Sequence, residues 1–301
     1  MASRPETPIR SGVVAILGRP NVGKSTLVNA MVGQKVAIVS DVPQTTRTTI
    51  RAVLTGLDHQ VVFTDTPGLH KPRTELGRHL NQRVDEAASG VDALVLVVDA
   101  AAGVGRGDGF VAARELEGRS APKLCAVNKI DRLRRSRVLP QLAAAAELAA
   151  FDHVVPVSAR TGAGIEDLRS TILSLMPDGP ALYPAGSVTD QPAEHRVAEL
   201  VREKALALTE QEVPHSIAVV VEGIERNDAT GVLTISCSLL VERESQKGIL
   251  VGKGGRTIRE IGTRARPEIE AMLGGAVFLD LRVRVLRNWQ RDPEALRRLG
   301  L

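Results

Sequence analysis

Aromatic residues are scarce in this sequence. Phe, Trp and Tyr together make up 2% of its 301 residues, with a single Trp and a single Tyr, so few rings are available for stacking against a ligand. Long apolar segments are also lacking, because runs such as ALVLVV at residues 93–98 are far too short to cross a bilayer. The opening MASRPETPIR has no apolar stretch typical of a secretion signal. We therefore expect a cytosolic protein.

Cysteine is equally rare, and neither sign of charge dominates. Cys125 and Cys237 each lie in an apolar segment and match no metal-ligand spacing, which predicts buried thiols in a reducing compartment rather than a disulfide. The net charge of +4 permits an acidic partner without requiring one. The hydrophobic fraction of 43% is ample for packed cores, and the length suits two domains.

Two regions of different pattern follow one another along the chain. Up to about residue 176, apolar runs without polar alternation stand between helical segments, which predicts an α/β layered domain with a mostly parallel sheet and helices on both faces. The predicted strands are residues 13–17, 61–65, 93–99, 123–128 and 153–158, and helices are predicted within 136–151 and 164–175. Residues 177–192 are rich in Pro and Gly and predict a linker. Beyond them, a helix, two strands, two helices around a glycine loop and a last strand predict a smaller α+β module.

GRPNVGKS at residues 18–25 matches the phosphate-binding loop pattern G-x-x-x-x-G-K-[ST], and it follows a predicted strand and opens a predicted helix. Glycines allow backbone N–H groups to surround phosphates, and the helix start adds partial positive charge. Lys24 would contact the β- and γ-phosphates, and the Ser25 hydroxyl would bind Mg²⁺. The loop comprises Gly18, Arg19, Pro20, Asn21, Val22, Gly23, Lys24 and Ser25.

NKID, comprising Asn128, Lys129, Ile130 and Asp131, ends a predicted strand. The Asp131 carboxylate can accept hydrogen bonds from both N1–H and the amino group of guanine, whereas adenine leaves it unpaired, so the motif favours GTP over ATP. Ser158 and Ala159, after the last strand of this domain, can offer backbone N–H groups to the guanine oxygen.

DTPG at residues 65–68 closes a further buried strand. Asp65 would hold Mg²⁺ through water, and the Gly68 N–H would sense the γ-phosphate. The polar loop QTTRT comprises Gln44, Thr45, Thr46, Arg47 and Thr48, and one of its threonines, with Thr46 preferred, would complete the Mg²⁺ shell in the GTP state. We expect Arg47 to face solvent.

Together these stretches resemble the nucleotide-binding motifs of translation-factor-class GTPases. GRPNVGKS, AIVSDVPQTTRT and DTPGLHKPRTELGRHLN resemble the Era family in particular, and the resemblance extends over nearly the whole chain. It implies an Era-type G domain at residues 1–176, a linker at 177–192 and a KH RNA-binding domain of type II at 193–301. It implies catalytic roles for Lys24, Asp65, Thr46 and Asn21. The implied GTP contacts are residues 18–25, Asp65, Thr66, Pro67, Gly68, Leu69, residues 128–131, Ser158 and Ala159.

Leu69 is apolar where Ras-type enzymes carry a glutamine that orients the attacking water. Related GTPases with an apolar residue there can use a potassium ion near the phosphate-loop asparagine, which is Asn21 here. Potassium is therefore a hypothesis beside Mg²⁺, and Asn21 can equally serve to shape the loop. We expect slow intrinsic turnover, because no arginine finger is evident.

A second glycine loop, GKGG at residues 252–255, fits the G-x-x-G loop of KH domains, which clamps single-stranded nucleotides. No Ser or Thr follows Lys253, so this loop is not a second NTPase site. Ile249, Leu250 and Val251 would form the groove floor, and Arg264 and Arg266 would extend the basic surface. The candidate RNA contacts are Ile249, Val251, Gly252, Lys253, Gly254, Gly255, Arg256 and Arg259.

The resemblance implies a monomeric GTPase that binds GTP, GDP and the 3′ end of 16S rRNA and acts in small-subunit maturation. Two alternatives stay open: an RNA-binding protein that senses nucleotide with negligible turnover, and a GTPase acting on tRNA or the large subunit. Peripheral contact with the cytoplasmic face of the cell membrane is a further possibility, although no amphipathic anchor is present. The histidines show no ligand or catalytic spacing.

Overall fold

The computed structural model describes residues 8–42, 45–69 and 74–301. These residues pack into two compact units. The first contains residues 8–37, 46–69 and 77–190, and the second contains residues 38–42, 45, 74–76 and 191–301. Residues 38–42 and 45 thus belong to the unit built mainly from the C-terminal third.

The first unit is a sheet with helices on both faces. Its strands are β1 (Ile9–Leu17), β2 (Ile50–Thr55), β3 (His59–Asp65), β4 (Ala93–Asp99), β5 (Lys123–Asn128), β6 (His153–Pro156) and β7 (Asp178–Gly179). Its helices are α1 (Lys24–Val32), α2 (Glu75–Ala87), α3 (Arg106–Leu116), α4 (Arg135–Ala146) and α5 (Ile165–Leu175).

The sheet order is β2-β3-β1-β4-β5-β6, with β7 paired to the start of β1. The β1–β3, β1–β4, β4–β5 and β5–β6 pairs are parallel, while β2 and β7 pair antiparallel. The predicted mostly parallel sheet is confirmed. The sequence prediction did not include β2, which is an edge strand with an exposed Arg51 and so lacks the continuous apolar run of the central strands.

Alternate residues of the central strands enter two separate cores. Val14, Ile16 and Phe63 pack with residues of α1 and α5, whereas Leu17 and Leu96 pack with residues of α2, α3 and α4. Both faces of β4 are therefore fully buried, as its unbroken apolar run predicts. Cys125 lies in one of these cores with a free thiol, and Cys237 is likewise free and buried in the second unit, so the prediction of buried thiols is confirmed.

The segment predicted as a linker is ordered against the first unit along much of its length. Asp178 and Gly179 form β7, and the Gln60 side chain bonds the backbone of Leu182 and Tyr183. Further along, Val53 N–H donates to the carbonyl of residue 188. Satisfied backbone groups of this kind hold a Pro- and Gly-rich chain in place without regular structure.

The second unit is a three-stranded sheet covered by helices. Its elements are α6 (Ala193–Ala207), β8 (Ala218–Arg226), β9 (Leu233–Val241), α7 (Glu244–Val251), α8 (Arg256–Leu273), β10 (Val277–Val285) and α9 (Pro293–Arg298). The strand order is β10-β9-β8, with β10 parallel and β8 antiparallel to β9. This is the predicted α+β module. Within the described residues, no helix is both long and apolar enough to span a membrane.

Candidate functional site

The phosphate-loop sequence lies where the chain leaves β1 and enters α1. Gly23 has φ +98°, and a Cβ placed on it would lie 2.4 Å from Asn128 Nδ2, so only glycine fits there. Lys24 opens α1, and its Nζ donates to the carbonyls of Gly18 at 3.1 Å and Arg19 at 2.9 Å. Burial lowers the pKa of Lys24 to about 8, against the opposing effect of the Asp65 charge. The loop thus encloses a cationic side chain that an anionic ligand would stabilise.

Three oxygen-bearing side chains meet beside Lys24. Ser25 Oγ lies 2.7 Å from Asp65 Oδ2 and 2.9 Å from Thr46 Oγ1, and Thr46 Oγ1 lies 3.3 Å from Asp65 Oδ2. Asp65 is fully buried, and desolvation raises its pKa despite the hydrogen bonds from Ser25 and Thr46 and the nearby Lys24 charge. Of the predicted switch threonines, the structure places Thr46 in this group.

The donor set fits Mg²⁺. Asp65 Oδ1 is buried and has no hydrogen-bond partner among the described residues, and an orphaned buried carboxylate oxygen calls for an explanation. Hydroxyl and carboxylate oxygens are the hard ligands that Mg²⁺ takes in nucleotide sites, usually with several waters retained. The residues Ser25, Thr46 and Asp65 are therefore suited to hold it.

The NKID residues connect the phosphate loop to the end of β6. Asn128 Nδ2 donates to the Val22 carbonyl at 2.9 Å, and its Oδ1 accepts from the Ala159 N–H at 3.0 Å. Lys129 Nζ lies 2.6 Å from both the Asn21 carbonyl and Asp99 Oδ2. Asp99 was not predicted as a site residue, although it ends β4 and the carboxyl ends of parallel strands share one edge of the sheet.

Asp131 is held as a carboxylate at the same edge. Ser158 Oγ donates to Asp131 Oδ1 at 2.6 Å, and Arg160 Nη2 lies 2.7 Å from Asp131 Oδ2. The Ser158 hydrogen bond and the Arg160 guanidinium lower the pKa of Asp131 from its ordinary value. An ionised carboxylate is an acceptor only, which is what a base with two neighbouring N–H donors requires.

The residues after Asp65 pack closely on the phosphate loop. Thr66 Oγ1 donates to the Ile16 carbonyl at 2.7 Å, and a Cβ on Gly68 would lie 2.7 Å from Pro20. Leu69 is 3% exposed and belongs to the core beneath α2 and α3, with its N–H 3.4 Å from the Gly18 carbonyl. A buried leucine cannot orient water through its side chain.

The predicted switch loop is described only in part, because Gln44 lies outside the described residues. Thr45 Oγ1 donates to the Val42 carbonyl at 2.6 Å, and the Thr45 carbonyl accepts from the buried Arg202 of α6. Arg47 is 4% exposed, so the expectation that it faces solvent is wrong. Thr48 is also buried. Whether a long guanidinium side chain is covered depends on tertiary packing, which sequence polarity does not reveal.

The second glycine loop forms a single 3₁₀ turn between α7 and α8. Gly252, Gly254 and Gly255 have φ of 71°, 61° and 76°. Lys253, Arg256 and Arg259 are exposed, and none of these three forms an ion pair within the described parts of the chain. Ile249 is 49% exposed beside them, and Val251 is partly buried.

A cleft of about 370 Å³ lies between α8 and β10 in the second unit. Leu250 does not line it: this residue is fully buried in the core, so its prediction as groove floor is wrong. An apolar residue on the helix face toward the sheet is drawn inward. The cleft is lined by Gly255, Ile258, Arg259, Gly262, Thr263, Arg266, Phe278, Leu279 and Leu281.

Most of the cleft residues were not predicted as contacts. Phe278 is 61% exposed and supplies an aromatic ring to the cleft, whereas Trp289 is fully buried with its Nε1 donating to the Ser216 carbonyl. The signal for Phe278 was its place at the start of β10, where alternation puts one residue of each pair outside the core. No group of His, Cys, Asp or Glu suited to a metal ion occurs in the described ranges.

Comparison with protein-family models divides the chain in two. Residues 13–129 match the model of a 50S ribosome-binding GTPase, and residues 212–290 match a KH domain. Among curated relatives, the GTPase Era of Mycolicibacterium smegmatis is 48% identical over 298 residues, covering 98% of this chain and 99% of the relative. The GTPase Era of Mycobacterium tuberculosis is 46% identical with the same coverage.

Two solved structures match both units. One is Era in complex with MgGDPNP and nucleotides 1506–1542 of 16S ribosomal RNA, and the other is Aquifex aeolicus Era bound to GDP and AlF4⁻. Each gives a TM-score of 0.94 at 38% identity and covers 97% of this chain and 99% of the other. The similarity therefore includes the C-terminal third as well as the nucleotide motifs.

Proposed function

This chain belongs to the Era family of GTPases, and from that membership we propose that it hydrolyses GTP and binds the 3′ region of 16S rRNA during maturation of the small ribosomal subunit. One observation carries the nucleotide half: Lys24, Ser25, Asp65 and Asp131 meet at one edge of the sheet, each held by the contacts described above. Together these four side chains can bind the phosphates, a metal ion and the guanine base.

The residue roles follow from these contacts. Lys24 would give up the carbonyls of Gly18 and Arg19 for the β- and γ-phosphates. Ser25 and Thr46 would hold Mg²⁺ directly and Asp65 through water; the ion would neutralise charge on the phosphates. The relative bound to MgGDPNP supports this assignment. Asp131, oriented by Ser158, would accept both guanine N–H groups.

Potassium is a further part of the proposal. Leu69 is buried, so a group other than its side chain must orient the attacking water. Asn21 has φ +62°, and its carbonyl already binds a cation, the Lys129 ammonium, at 2.6 Å. GTP turnover is expected to be faster in KCl than in NaCl of equal strength. Equal rates in the two salts would contradict a role for potassium, and Asn21 would then serve only to shape the loop.

The RNA half rests on the second unit. The α8–β10 cleft combines apolar walls and one exposed ring with the cations Arg259 and Arg266 at its edge. The glycine loop beside it presents the backbone and Lys253 to the same ligand, as KH domains do with single strands. The complex of a 38% identical relative with 16S rRNA nucleotides supports the choice of RNA. We place the domains at residues 1–176 and 193–301, with the linker at 177–192.

GTP binding and RNA binding would be coupled at the point where Thr45 is joined to Thr46. The Thr45 carbonyl is held by Arg202 and the Val39 N–H donates to Glu203 Oε1 at 2.9 Å, both on α6 of the second unit. The next residue, Thr46, bonds Ser25 and Asp65 in the first unit. A γ-phosphate that fixes Thr46 would therefore restrict the segment attached to α6.

Three experiments test the RNA target, GTP turnover and membrane contact. A GTPase acting on the large subunit or on tRNA is the alternative, and the match of residues 13–129 to the model of a 50S ribosome-binding GTPase favours the large subunit of these two. Sequencing RNA crosslinked to the protein with a non-hydrolysable GTP analogue decides the target. Phosphate release with and without 16S rRNA decides whether the protein turns GTP over or only senses it. Weak peripheral membrane contact is tested by flotation with anionic vesicles.

Reversing charge at the second loop tests RNA binding directly. Lys253→Asp with Arg256→Asp should weaken binding of the 3′ oligonucleotide and reduce the slope of log affinity against log salt by about 1.4, at roughly 0.7 per lost phosphate contact. GTP affinity should be unchanged. A matched control, Arg282→Asp with Arg284→Asp on β10, changes the same charge where both arginines already pair with acids. Equal losses in the two variants would contradict a specific role of the loop.

A further inference from the structure

A buried acid outside the predicted site residues contacts the phosphate loop. Asp108 is the third residue of α3, and its side chain is 1% exposed. Its Oδ1 accepts from Arg19 Nε at 2.7 Å, and its Oδ2 accepts from the Gly105 N–H at 3.0 Å. The second of these bonds caps the start of α3. The first connects α3 to a loop residue 89 positions away along the chain.

The charge of Asp108 is compensated from two directions. A carboxylate removed from water requires a paired cation and hydrogen-bonded oxygens. Arg19 supplies the cation, while the first turn of α3 supplies a backbone donor and the positive end of the helix dipole. The Arg19 side chain is 33% exposed and can be solvated without Asp108. Removing the charge of Asp108 is therefore the milder way to break the pair.

The aliphatic part of the Arg19 side chain also lies against the backbone of α3. A Cβ added to Gly107 would lie 2.6 Å from Arg19 Cδ, too close for any side chain at that position. The lack of a side chain at residue 107 thus lets Arg19 cross the first turn of the helix. Together with the ion pair, this contact fixes the direction in which the Arg19 side chain leaves the phosphate loop.

The backbone of the same arginine belongs to the phosphate site. Its carbonyl accepts from Lys24 Nζ at 2.9 Å. The preceding Gly18 has φ +149°, a backbone region that glycine enters readily, so the chain before Arg19 is intrinsically adaptable. Asn128 holds the later part of the loop by donating to the Val22 carbonyl. Asp108 holds the earlier part through the Arg19 side chain.

We propose that Asp108 is a positioning residue for the phosphate site. By holding the Arg19 side chain, it fixes the loop backbone at the place where Lys24 is to meet the β- and γ-phosphates. This rests on the proposed function, since it assumes that residues 18–25 bind GTP. A loop already held in its binding conformation does not have to be ordered when the ligand arrives, which increases affinity. We expect Asp108 to act on the nucleotide through Arg19 alone.

A double-mutant cycle on the full chain tests this proposal. The variants are Asp108→Asn, Arg19→Gln and the combination of both, and calorimetry measures their affinities for GDP and a non-hydrolysable GTP analogue. Asparagine keeps an oxygen that can cap α3 but loses the charge that holds Arg19. Asp108→Asn should weaken both nucleotides by about fivefold to twentyfold, in the range common for directly interacting pairs. In the Arg19→Gln background the same change should have an effect of less than about twofold, because the interaction is already lost.

A matched control breaks another ion pair of the same helix. Arg114 lies toward the other end of α3, with its Nη2 2.8 Å from Asp85 Oδ1. Arg114→Gln should leave both nucleotide affinities within about twofold of the unchanged protein, since exposed pairs of this kind contribute little. A loss as large as that of Asp108→Asn would attribute the effect to the general stability of α3 and overturn the proposal.

Two further results would overturn it. An unchanged affinity in Asp108→Asn would show that the loop does not depend on this contact. Equal losses from Asp108→Asn with and without Arg19 would show that Asp108 acts only by capping α3. If the unchanged protein binds neither nucleotide, the proposed function itself fails, whereas normal binding by the protein and by Asp108→Asn removes this inference alone.

Arg19→Gln leaves a buried carboxylate unpaired, so its unfolding temperature is measured first. Should this variant not fold, the combined variant is compared with Asp108→Asn instead, because both lack the buried charge. Equal nucleotide affinities of these two support the proposal. A further loss of about tenfold or more in the combined variant would show that Arg19 acts independently of Asp108 and contradict it.

Discussion

The two glycine loops of this chain share a Gly-Lys pair but differ in what surrounds them. Lys24 is 6% exposed and bonded to two loop carbonyls, whereas Lys253 is exposed. A Cβ on Gly23 would collide with Asn128, whereas a Cβ on Gly254 meets nothing within 4 Å. The first loop is packed against Asn128 at Gly23, whereas the second is closed by Thr257 at Gly252 and open at Gly254.

This difference matches the ligands that the loops are suited to hold. Transfer of a phosphoryl group requires donors held in place to a fraction of an ångström, which the packing around Gly23 and Lys24 provides. A polynucleotide backbone needs an accessible, sterically open surface with positive charge, which Gly254 and Lys253 provide. The environment of a glycine loop, more than its sequence, indicates which of these chemistries it can perform.

The largest expected effect is a difference in GTP affinity between variants of Lys24 and Lys253. Lys24→Ala should reduce GTP affinity by about 10²- to 10⁴-fold, because two charge-assisted hydrogen bonds to phosphate are lost at roughly 1.5–3 kcal/mol each. Lys253→Ala should leave GTP affinity unchanged. Titration with a fluorescent GTP analogue measures both, and equal GTP affinities in the two variants would contradict the assignment of the first loop.

The base contact should respond to a one-atom change. Asp131→Asn replaces a carboxylate oxygen by an amide donor that suits the C2 oxygen of xanthine instead of the amino group of guanine. GTP affinity should fall about 100-fold and XTP affinity should rise. Competition between the two nucleotides measures the preference. A variant that still prefers GTP would show that Asp131 does not read the base.

Adding one methyl group to each loop tests the packing difference itself. Gly23→Ala should lower the stability of the first unit by about 2–4 kcal/mol, because Gly23 has a left-handed backbone and the added methyl would displace the Asn128 side chain. Gly254 has φ +61° and open space around it, so Gly254→Ala should lower the stability of the second unit by only about 1–2 kcal/mol. Calorimetry of both variants measures this, and equal shifts would refute the contrast.

The smallest expected effect concerns protons taken up on nucleotide binding. Burial lowers the pKa of Lys24 to about 8 in the free protein, and bound phosphates should return it toward its ordinary value. Binding at pH 8 should therefore take up about half a proton, and affinity should decline as pH rises above 8. In stability, the same group works in the opposite direction: its burial penalty is fully present below pH 8 and is lost as pH rises toward 10.5.

That proton uptake is measured by calorimetry in buffers of different ionisation enthalpy. The Lys253→Ala variant should show the same uptake, since its first loop is unchanged. Binding enthalpies that do not depend on the buffer at pH 8 would contradict a lowered pKa at Lys24.

Much of this arrangement could be predicted from the sequence because its motifs are local. GRPNVGKS and NKID each encode their own turn, and the parallel strands before them bring them to the same edge. The contacts that were missed depend on distant parts of the chain: Asp99 meets Lys129, Arg47 is covered by tertiary packing, and Phe278 meets α8 across the cleft. Leu250 shows the same limit, because which face of a short apolar helix turns inward is decided by the sheet beneath it.

The central claim is that nucleotide held near Lys24 alters how firmly the second unit holds a single RNA strand. Fluorescence anisotropy of a labelled 3′-terminal 16S oligonucleotide, titrated with the nucleotide-free, GDP-bound and GTP-analogue-bound protein, tests it most directly. We expect the tightest binding in the triphosphate form, by about 5- to 150-fold, the range common for coupled sites. Three equal dissociation constants would contradict the account.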